Sequence, residues 1–322
     1  MSLQGWSEGG IPPQTGKLAV VTGATSGLGY ETALALAQGC ADVIIADGSE
    51  AEGRSAAAKI RSQAPKALVR FERLDLDLLA SVSAFANRLA AAGRPLDLLV
   101  NNAAAPALPR REVTADGFEM QLGVNYLGHF ALTGLLLPML RLSRNPRVVQ
   151  VSSLAHRFGR LRIEDLHSER RYGPLRAYSQ SKLAMLLFAL ELQRQSDKRG
   201  WGLLSLAVHP GYDPGYDLRY DPRHAQTGLL TKSHRAGSRF SRIRRRLGKM
   251  MKISAANGVQ PTLFAAASPD VEPGRFYGPG GLLELSGPPA PAYLSKGARD
   301  EATARRLWQV SEQLTGVRWA AD

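Results

Sequence analysis

The chain has 322 residues, 44% hydrophobic and 21% charged, enough to bury one large core or two modest ones. Its one cysteine, Cys40, excludes an intramolecular disulfide and a cysteine-rich metal site, and no run reaches the roughly 18–20 continuous apolar residues of a membrane span. The net charge of +13 is concentrated, because residues 219–252 hold eleven Lys/Arg against one acid, Asp221.

Residues 1–16 are Gly/Pro/Gln-rich, with neither a basic cluster nor an apolar run, so they are expected to form an irregular arm and not a secretory signal. Together with the single cysteine, this suits a reducing cytoplasm. Short β-branched runs then alternate with longer helical patterns, the signature of β/α units on a parallel sheet. Strands are predicted at Leu18 to Thr22, Val43 to Ala46, Leu68 to Leu74, Leu96 to Val100, Arg147 to Val151 and Leu203 to Val208. Helices are predicted at Tyr30 to Gln38, Gly53 to Ser62, Leu78 to Ala91, Gly117 to Leu142 and Ala177 to Gln195. Regularity lapses from Tyr212 to about Lys252, where Phe240, Ile243, Leu247 and Met251 recur at helical spacing among arginines. A helix near Ala255 to Ala267 and a strand near Arg275 to Tyr277 follow. No linker divides the chain, so one doubly wound α/β domain with a basic insertion is expected.

Thr22-Gly23-Ala24-Thr25-Ser26-Gly27-Leu28-Gly29 lies where the first strand turns into the first helix. Glycines there let backbone approach a pyrophosphate, and the helix N-terminus offers free N–H groups and a positive dipole end. Such a turn alone is a weak signal. Asp47, at the tip of the second strand, strengthens it, since an acid there would hold the adenosine ribose of a dinucleotide.

Tyr178 and Lys182 stand four residues apart, neighbours on one helix face. A free phenol titrates near ~10, and an adjacent ammonium favours the phenolate, which makes Tyr178 a candidate proton donor and acceptor. Ser152 and Ser153 end the fifth strand with hydroxyls. Asn125 sits in an otherwise apolar helix, either as a core hydrogen-bonding device or as part of a polar relay. His156, His167 and His209 lack ligand spacing, and no metal site is expected.

The set Thr22-Gly23-x-x-x-Gly27-x-Gly29, Asp75-Leu76, Asn101-Asn102-Ala103-Ala104, Asn125, Ser153, Tyr178-x-x-x-Lys182 and Pro210-Gly211 resembles the short-chain dehydrogenase/reductase superfamily. The match runs from about Lys17 to Tyr277, in order and spacing. Ser152-Ser153-Leu154-Ala155-His156 and Tyr178-Ser179-Gln180-Ser181-Lys182-Leu183 look most like its branch of retinol dehydrogenases and their bacterial relatives, with protochlorophyllide reductases nearby. The resemblance implies a Rossmann-type doubly wound parallel sheet over residues 17–290, a basic helical substrate-lid insertion at about 212–254, and a C-terminal helical extension over 291–322.

It also implies roles. Tyr178 would exchange the proton with the substrate oxygen and Ser153 would hydrogen-bond that oxygen. Lys182 would bind the nicotinamide ribose, and Asn125 would hold a water linking Lys182 to solvent. Gly23, Thr25, Ser26, Gly27, Leu28 and Gly29 would cradle the pyrophosphate, and Asp75 with Leu76 would flank the adenine. Asn102, Ala103, Pro210 and Gly211 would line the cofactor cleft. Family members associate through the helices bearing Asn125 and Tyr178, so a homodimer or homotetramer is expected. The usual Asn-Asn-Ala-Gly reads Asn-Asn-Ala-Ala here. The threonine usual after Pro-Gly is absent from Tyr212-Asp213-Pro214-Gly215-Tyr216, which leaves nicotinamide orientation to backbone groups.

The reaction expected is hydride transfer between NAD(H) and an apolar alcohol or ketone. Carbon–carbon double-bond reduction on the same fold and a non-catalytic cofactor sensor are the other readings. Neither the glycine turn nor Asp47-Gly48-Ser49 carries a base to meet a 2′-phosphate, so NAD is favoured, with NADP left open. For the basic insertion the readings are a solvated lid, peripheral contact with anionic membrane, or an acidic substrate. Nucleic acid is disfavoured because no aromatics interleave the arginines.

Overall fold

The computed structural model describes Trp6, residues 11–211 and residues 258–319. The lid insertion, its basic helix and any membrane contact through it lie outside the described residues. Six parallel strands form as expected: β1 (Leu18–Thr22), β2 (Asp42–Asp47), β3 (Val69–Arg73), β4 (Leu98–Asn101), β5 (Arg147–Val151) and β6 (Leu204–Val208). β7 (Phe276–Pro279) adds in parallel, and β8 (Pro289–Pro291) pairs antiparallel to it at the edge. The order is β3-β2-β1-β4-β5-β6-β7-β8.

Helices cover both faces, which is why the strands read as continuous apolar runs. Alternate residues serve two cores. Leu18 and Val20 of β1 face one core, with α3 (Leu79–Ala91), α4 (Met120–Arg141) and α5 (Pro174–Arg199). Ala19 and Val21 face the other, with α1 (Gly27–Gln38), α2 (Glu50–Gln63) and α6 (Gln260–Ala267). The chain runs outward from β1 to β3, then returns to place β4 on the other side of β1. That reversal opens a crevice at the carboxyl ends of β1 and β4, the place where such sheets bind ligands.

One expectation needs correction. The long helix starts at Met120, not Gly117. Gly117 sits at φ +83° in the preceding turn, and the Glu119 carboxylate caps the helix by accepting from the Gln121 and Leu122 N–H groups. Inside α4, residues Gly123–Leu127 form a π turn, a frequent companion of functional sites. The boundary placed at residue 290 falls inside β8. Within the expected C-terminal helical extension, α7 (Glu301–Thr315) buries Leu307 and Trp308 in the main core.

α7 lies across α4 and α5. Phe130 and Phe188, one from each helix, meet the rings of Trp308 and Trp319 at 5.1–5.9 Å between centroids. Tyr126 Oη and Ser311 Oγ are hydrogen-bonded at 2.7 Å beneath them.

Candidate active site

The glycine turn leaves β1 with Gly23 at φ +64° and Gly27 at φ +58°, backbone states that suit glycine. A Cβ on Gly29 would collide with the Gly23 carbonyl oxygen and stand 2.5 Å from Asn102 Nδ2. α1 starts here with no acid in its first turn and no side-chain cap from Ser26, so its leading N–H groups and positive end suit an anion. This cradle fits a dinucleotide pyrophosphate. The Leu28 side chain, by contrast, packs in a small cluster with Val259 and Leu263, so only its backbone can serve the turn.

Asp47 ends β2 with Oδ1 accepting from Ser49 N at 3.0 Å and Oδ2 from Thr25 Oγ1 at 3.3 Å, which joins the second strand to the glycine turn. Asp75 faces the same end of the sheet, its carboxylate 3.7 Å from where a Gly48 Cβ would stand. Asp77, beside Asp75, is pushed up to about 6 by burial first and then by the Asp75 contact. Leu76 is buried in the core, with its carbonyl close against Gly128.

Asn102 spends its side chain on the turn, Nδ2 donating to Thr22 O at 2.9 Å and Gly23 O at 3.2 Å. The Thr22 hydroxyl accepts from the N–H groups of Asn102 and Ala103, at 2.9 and 3.0 Å. Its hydrogen goes to His129 Nε2 at 2.9 Å, in preference to the longer contact with Val100 O at 3.4 Å, because the opposite ring nitrogen faces a carbonyl and must itself be the donor. That nitrogen, Nδ1, carries the ring proton and donates it to the Asn125 carbonyl at 2.9 Å. Burial pushes His129 down to about 4, against the Asn125 bond and helped by the Lys182 charge, so the ring is neutral. Sequence reasoning missed His129. Its apolar neighbours read as core, and its partner Thr22 is 107 residues away.

Asn125 lies in the π turn. Its Oδ1 accepts from Ala105 N at 2.6 Å, while Nδ2 donates to Ser181 Oγ at 2.9 Å and Ala105 O at 3.2 Å. The amide therefore ties the segment after β4 to α5, one residue from Lys182. Tyr178 and Lys182 are both buried on α5, at 5% and 2% exposure, with Lys182 Nζ 5.7 Å from the Tyr178 ring centroid. Lys182 Nζ donates to Val151 O at 3.0 Å, and Ser152 Oγ donates to Lys182 O at 2.8 Å, so β5 fixes both ends of the lysine.

Ser153 follows β5 and starts a 3-10 turn, Leu154–Phe158. That turn packs on α5, and a Cβ on Gly159 would stand only 2.5 Å from Ser179 O. Ser153 thus sits over the helix that carries Tyr178. Pro210 and Gly211 follow β6 at the same sheet end, with Gly211 at φ +86°. The turn that Ser153 opens thus packs on the helix that carries Tyr178 and Lys182, and the glycine turn after β1 stands at the same carboxyl end of the parallel sheet.

The pattern of the short chain dehydrogenase family matches residues 17–213. The chain is 42% identical over 313 residues to a polyprenol dehydrogenase from Mus musculus, covering 95% of this chain and 86% of that protein. It is 39% identical over 306 residues to retinol dehydrogenase 12 from Homo sapiens, covering 94% and 88%. An uncharacterized protein from Mycobacterium Paratuberculosis superposes with a TM-score of 0.77 at 38% identity, covering 97% of both chains. A short chain dehydrogenase from Escherichia coli CFT073 complexed with NADPH superposes with a TM-score of 0.51 at 26% identity, over 63% of this chain and 78% of that one.

Proposed function

From the premise that this chain belongs to the short-chain dehydrogenase/reductase family, in its retinol-dehydrogenase-like branch, we propose that it interconverts a long apolar alcohol and its carbonyl compound with NAD(H). The observation that carries the reading is the buried Tyr178–Lys182 pair beside the Ser153 turn. The nucleotide, when bound, supplies or accepts the hydride. In the reducing direction Tyr178 gives its hydroxyl proton to the substrate oxygen as the hydride reaches the carbonyl carbon. In the oxidising direction it takes that proton back.

Lys182 keeps a positive charge beside the phenol and favours its deprotonated form. Ser153 donates to the substrate oxygen and stabilises the charge that develops there. Asn125 and Ser181 hold the helix face in register with the strand ends. The apolar substrate class rests on the names of the relatives, polyprenol and retinol dehydrogenases.

NAD preference rests on Asp47. Its carboxylate can accept from ribose hydroxyls, whereas a 2′-phosphate would be a like charge at a few ångströms. At an effective dielectric of ~20 such a pair costs about 4 kcal/mol at ~4 Å. Solvent at the open adenosine end reduces this to roughly 1–3 kcal/mol, or about ten- to a hundred-fold. The NADPH complex of the E. coli relative favours the opposite choice. Dissociation constants for NADH and NADPH, by fluorescence on the parent and on Asp47→Ala, decide between them. Tighter NADPH binding by the parent reverses the assignment, and an unchanged ratio in Asp47→Ala removes Asp47 from it.

A further inference from the structure

A second polar cluster stands at the same sheet end and has no part in the proton transfer. Glu284, in the turn between β7 and β8, makes three bonds to three segments. Oε2 accepts from His209 Nε2 at 2.9 Å and from an Arg157 Nη at 2.7 Å, and Oε1 accepts from Tyr293 N at 2.8 Å. His209 is the residue before Pro210-Gly211, fully buried after β6. Arg157 lies in the 3-10 turn that Ser153 opens. Its guanidinium also lies over the Tyr293 ring, 5.5 Å from the centroid.

The bonding around His209 leaves one tautomer. Nδ1 accepts from Gly211 N at 3.1 Å, so the proton is on Nε2 and is donated to Glu284. Burial pushes His209 down, so the ring is neutral. Glu284 is held at about 2, against the upward pull of its own burial, by the His209 and Tyr293 bonds and the Arg157 charge. The carboxylate is therefore ionised and balanced by Arg157.

The backbone shows what these bonds hold. Leu283 and Glu284 have φ of +55° and +58°, left-handed states that cost a non-glycine residue on the order of 1 kcal/mol or more and persist only where surroundings over-determine them. The same turn closes on Gly211, where a Cβ would meet Leu285 O at 2.5 Å.

We propose that Glu284 is a positioning residue that orients the Pro210–Gly211 peptide through His209 and the Ser153 turn through Arg157, so that the nicotinamide end of the cofactor meets the proton relay in one geometry. This rests on the proposed function. It also supplies a backbone-based orientation where the threonine usual after Pro-Gly is absent.

The test compares two ligands, NADH and ADP-ribose, the latter lacking the nicotinamide. Affinities are measured by calorimetry on the parent, Glu284→Ala and Glu284→Gln, with thermal unfolding and 15N spectra of the histidine rings. Glu284→Ala should lose about tenfold in NADH affinity, the scale of one charge-assisted hydrogen bond, with ADP-ribose affinity kept and the His209 Nε2–H tautomer no longer dominant. Glu284→Gln keeps an acceptor for His209 but not the charge for Arg157, and its NADH to ADP-ribose affinity ratio should fall by a smaller factor, roughly threefold. It serves as the deciding variant should Glu284→Ala not fold. An unchanged ratio in the folded variants, or a parallel loss of both ligands, overturns the positioning role. A parent that binds neither NADH nor NADPH overturns the proposed function instead.

Discussion

His129 and His156 are fully buried and each is committed as a neutral ring, so mild acid should weaken this fold before most of its carboxylates titrate. His129 is bonded at both nitrogens, to Thr22 Oγ1 and Asn125 O, and burial, with the Lys182 charge, places it at about 4. His156 pairs Nδ1 with Ser153 O at 2.8 Å and is also pushed down to about 4, by burial first. In the unfolded chain both titrate near ~6.5. The folded values are the lower ones, so the stability these rings permit is complete above ~6.5 and is lost as pH falls toward ~4. Between about pH 7 and about pH 5 each ring costs about 2 kcal/mol, and about 3 kcal/mol once pH reaches ~4. Two rings thus remove about 4 kcal/mol by about pH 5, out of a typical total of about 5–15 kcal/mol.

His209 and His167, both lowered by burial, add to the same trend. Asp77 opposes it, because its raised value favours the folded state as pH falls below about 6, but its partial exposure makes that share smaller. Urea unfolding at fixed ionic strength, followed by circular dichroism at about pH 7, 6 and 5, measures the slope. His129→Gln should be less stable near neutrality yet less steep in pH. Equal midpoints at pH 7 and 5, or an identical slope in parent and variant, would refute the reasoning.

Two substitutions test the site directly. Tyr178→Phe keeps the buried ring but removes the proton, so turnover should fall at least ~100-fold with NADH affinity kept; near-parental turnover in the folded variant would exclude Tyr178 as the acid–base group. Gly29→Ala drives a methyl into the Gly23 carbonyl and the Asn102 amide. It should cost about 1–3 kcal/mol of stability and at least ~10-fold in NADH affinity, and parental affinity would show that the turn does not cradle the nucleotide.

Much of the scaffold was legible because parallel strands buried on both faces leave continuous apolar runs, such as Leu18 to Thr22, with glycines marking the turn that follows. Tyr178 and Lys182 were legible as a pair because one helical turn separates them. What escaped was contact across long separations. His129 reads as one polar residue in an apolar helix until Thr22 and Asn125 are seen on either side. Glu284 and His209 are 75 positions apart, and nothing local marks the turn between β7 and β8 as a hub. The π turn changes only which carbonyl each N–H meets, so composition is silent about it. β8 was missed because Pro289 and Pro291 argue against a strand, and proline is tolerated there only because the strand is at the edge.

The packing of α7 bears on how copies of this chain can assemble. A two-fold dimer requires one self-complementary patch on both partners. Where α7 and Trp319 cover α4 and α5, such a patch is already filled by the chain's own C-terminal region, with Phe130, Phe188 and Tyr126 enclosed beneath it. At the β8 border, Pro289 and Pro291 offer no N–H to a neighbouring strand, which takes two donors from any ladder that an extended inter-subunit sheet would form. A symmetric pair built on that stretch of α4 and α5 would have to displace α7, and one built on the β8 edge would have to do without N–H donors at Pro289 and Pro291.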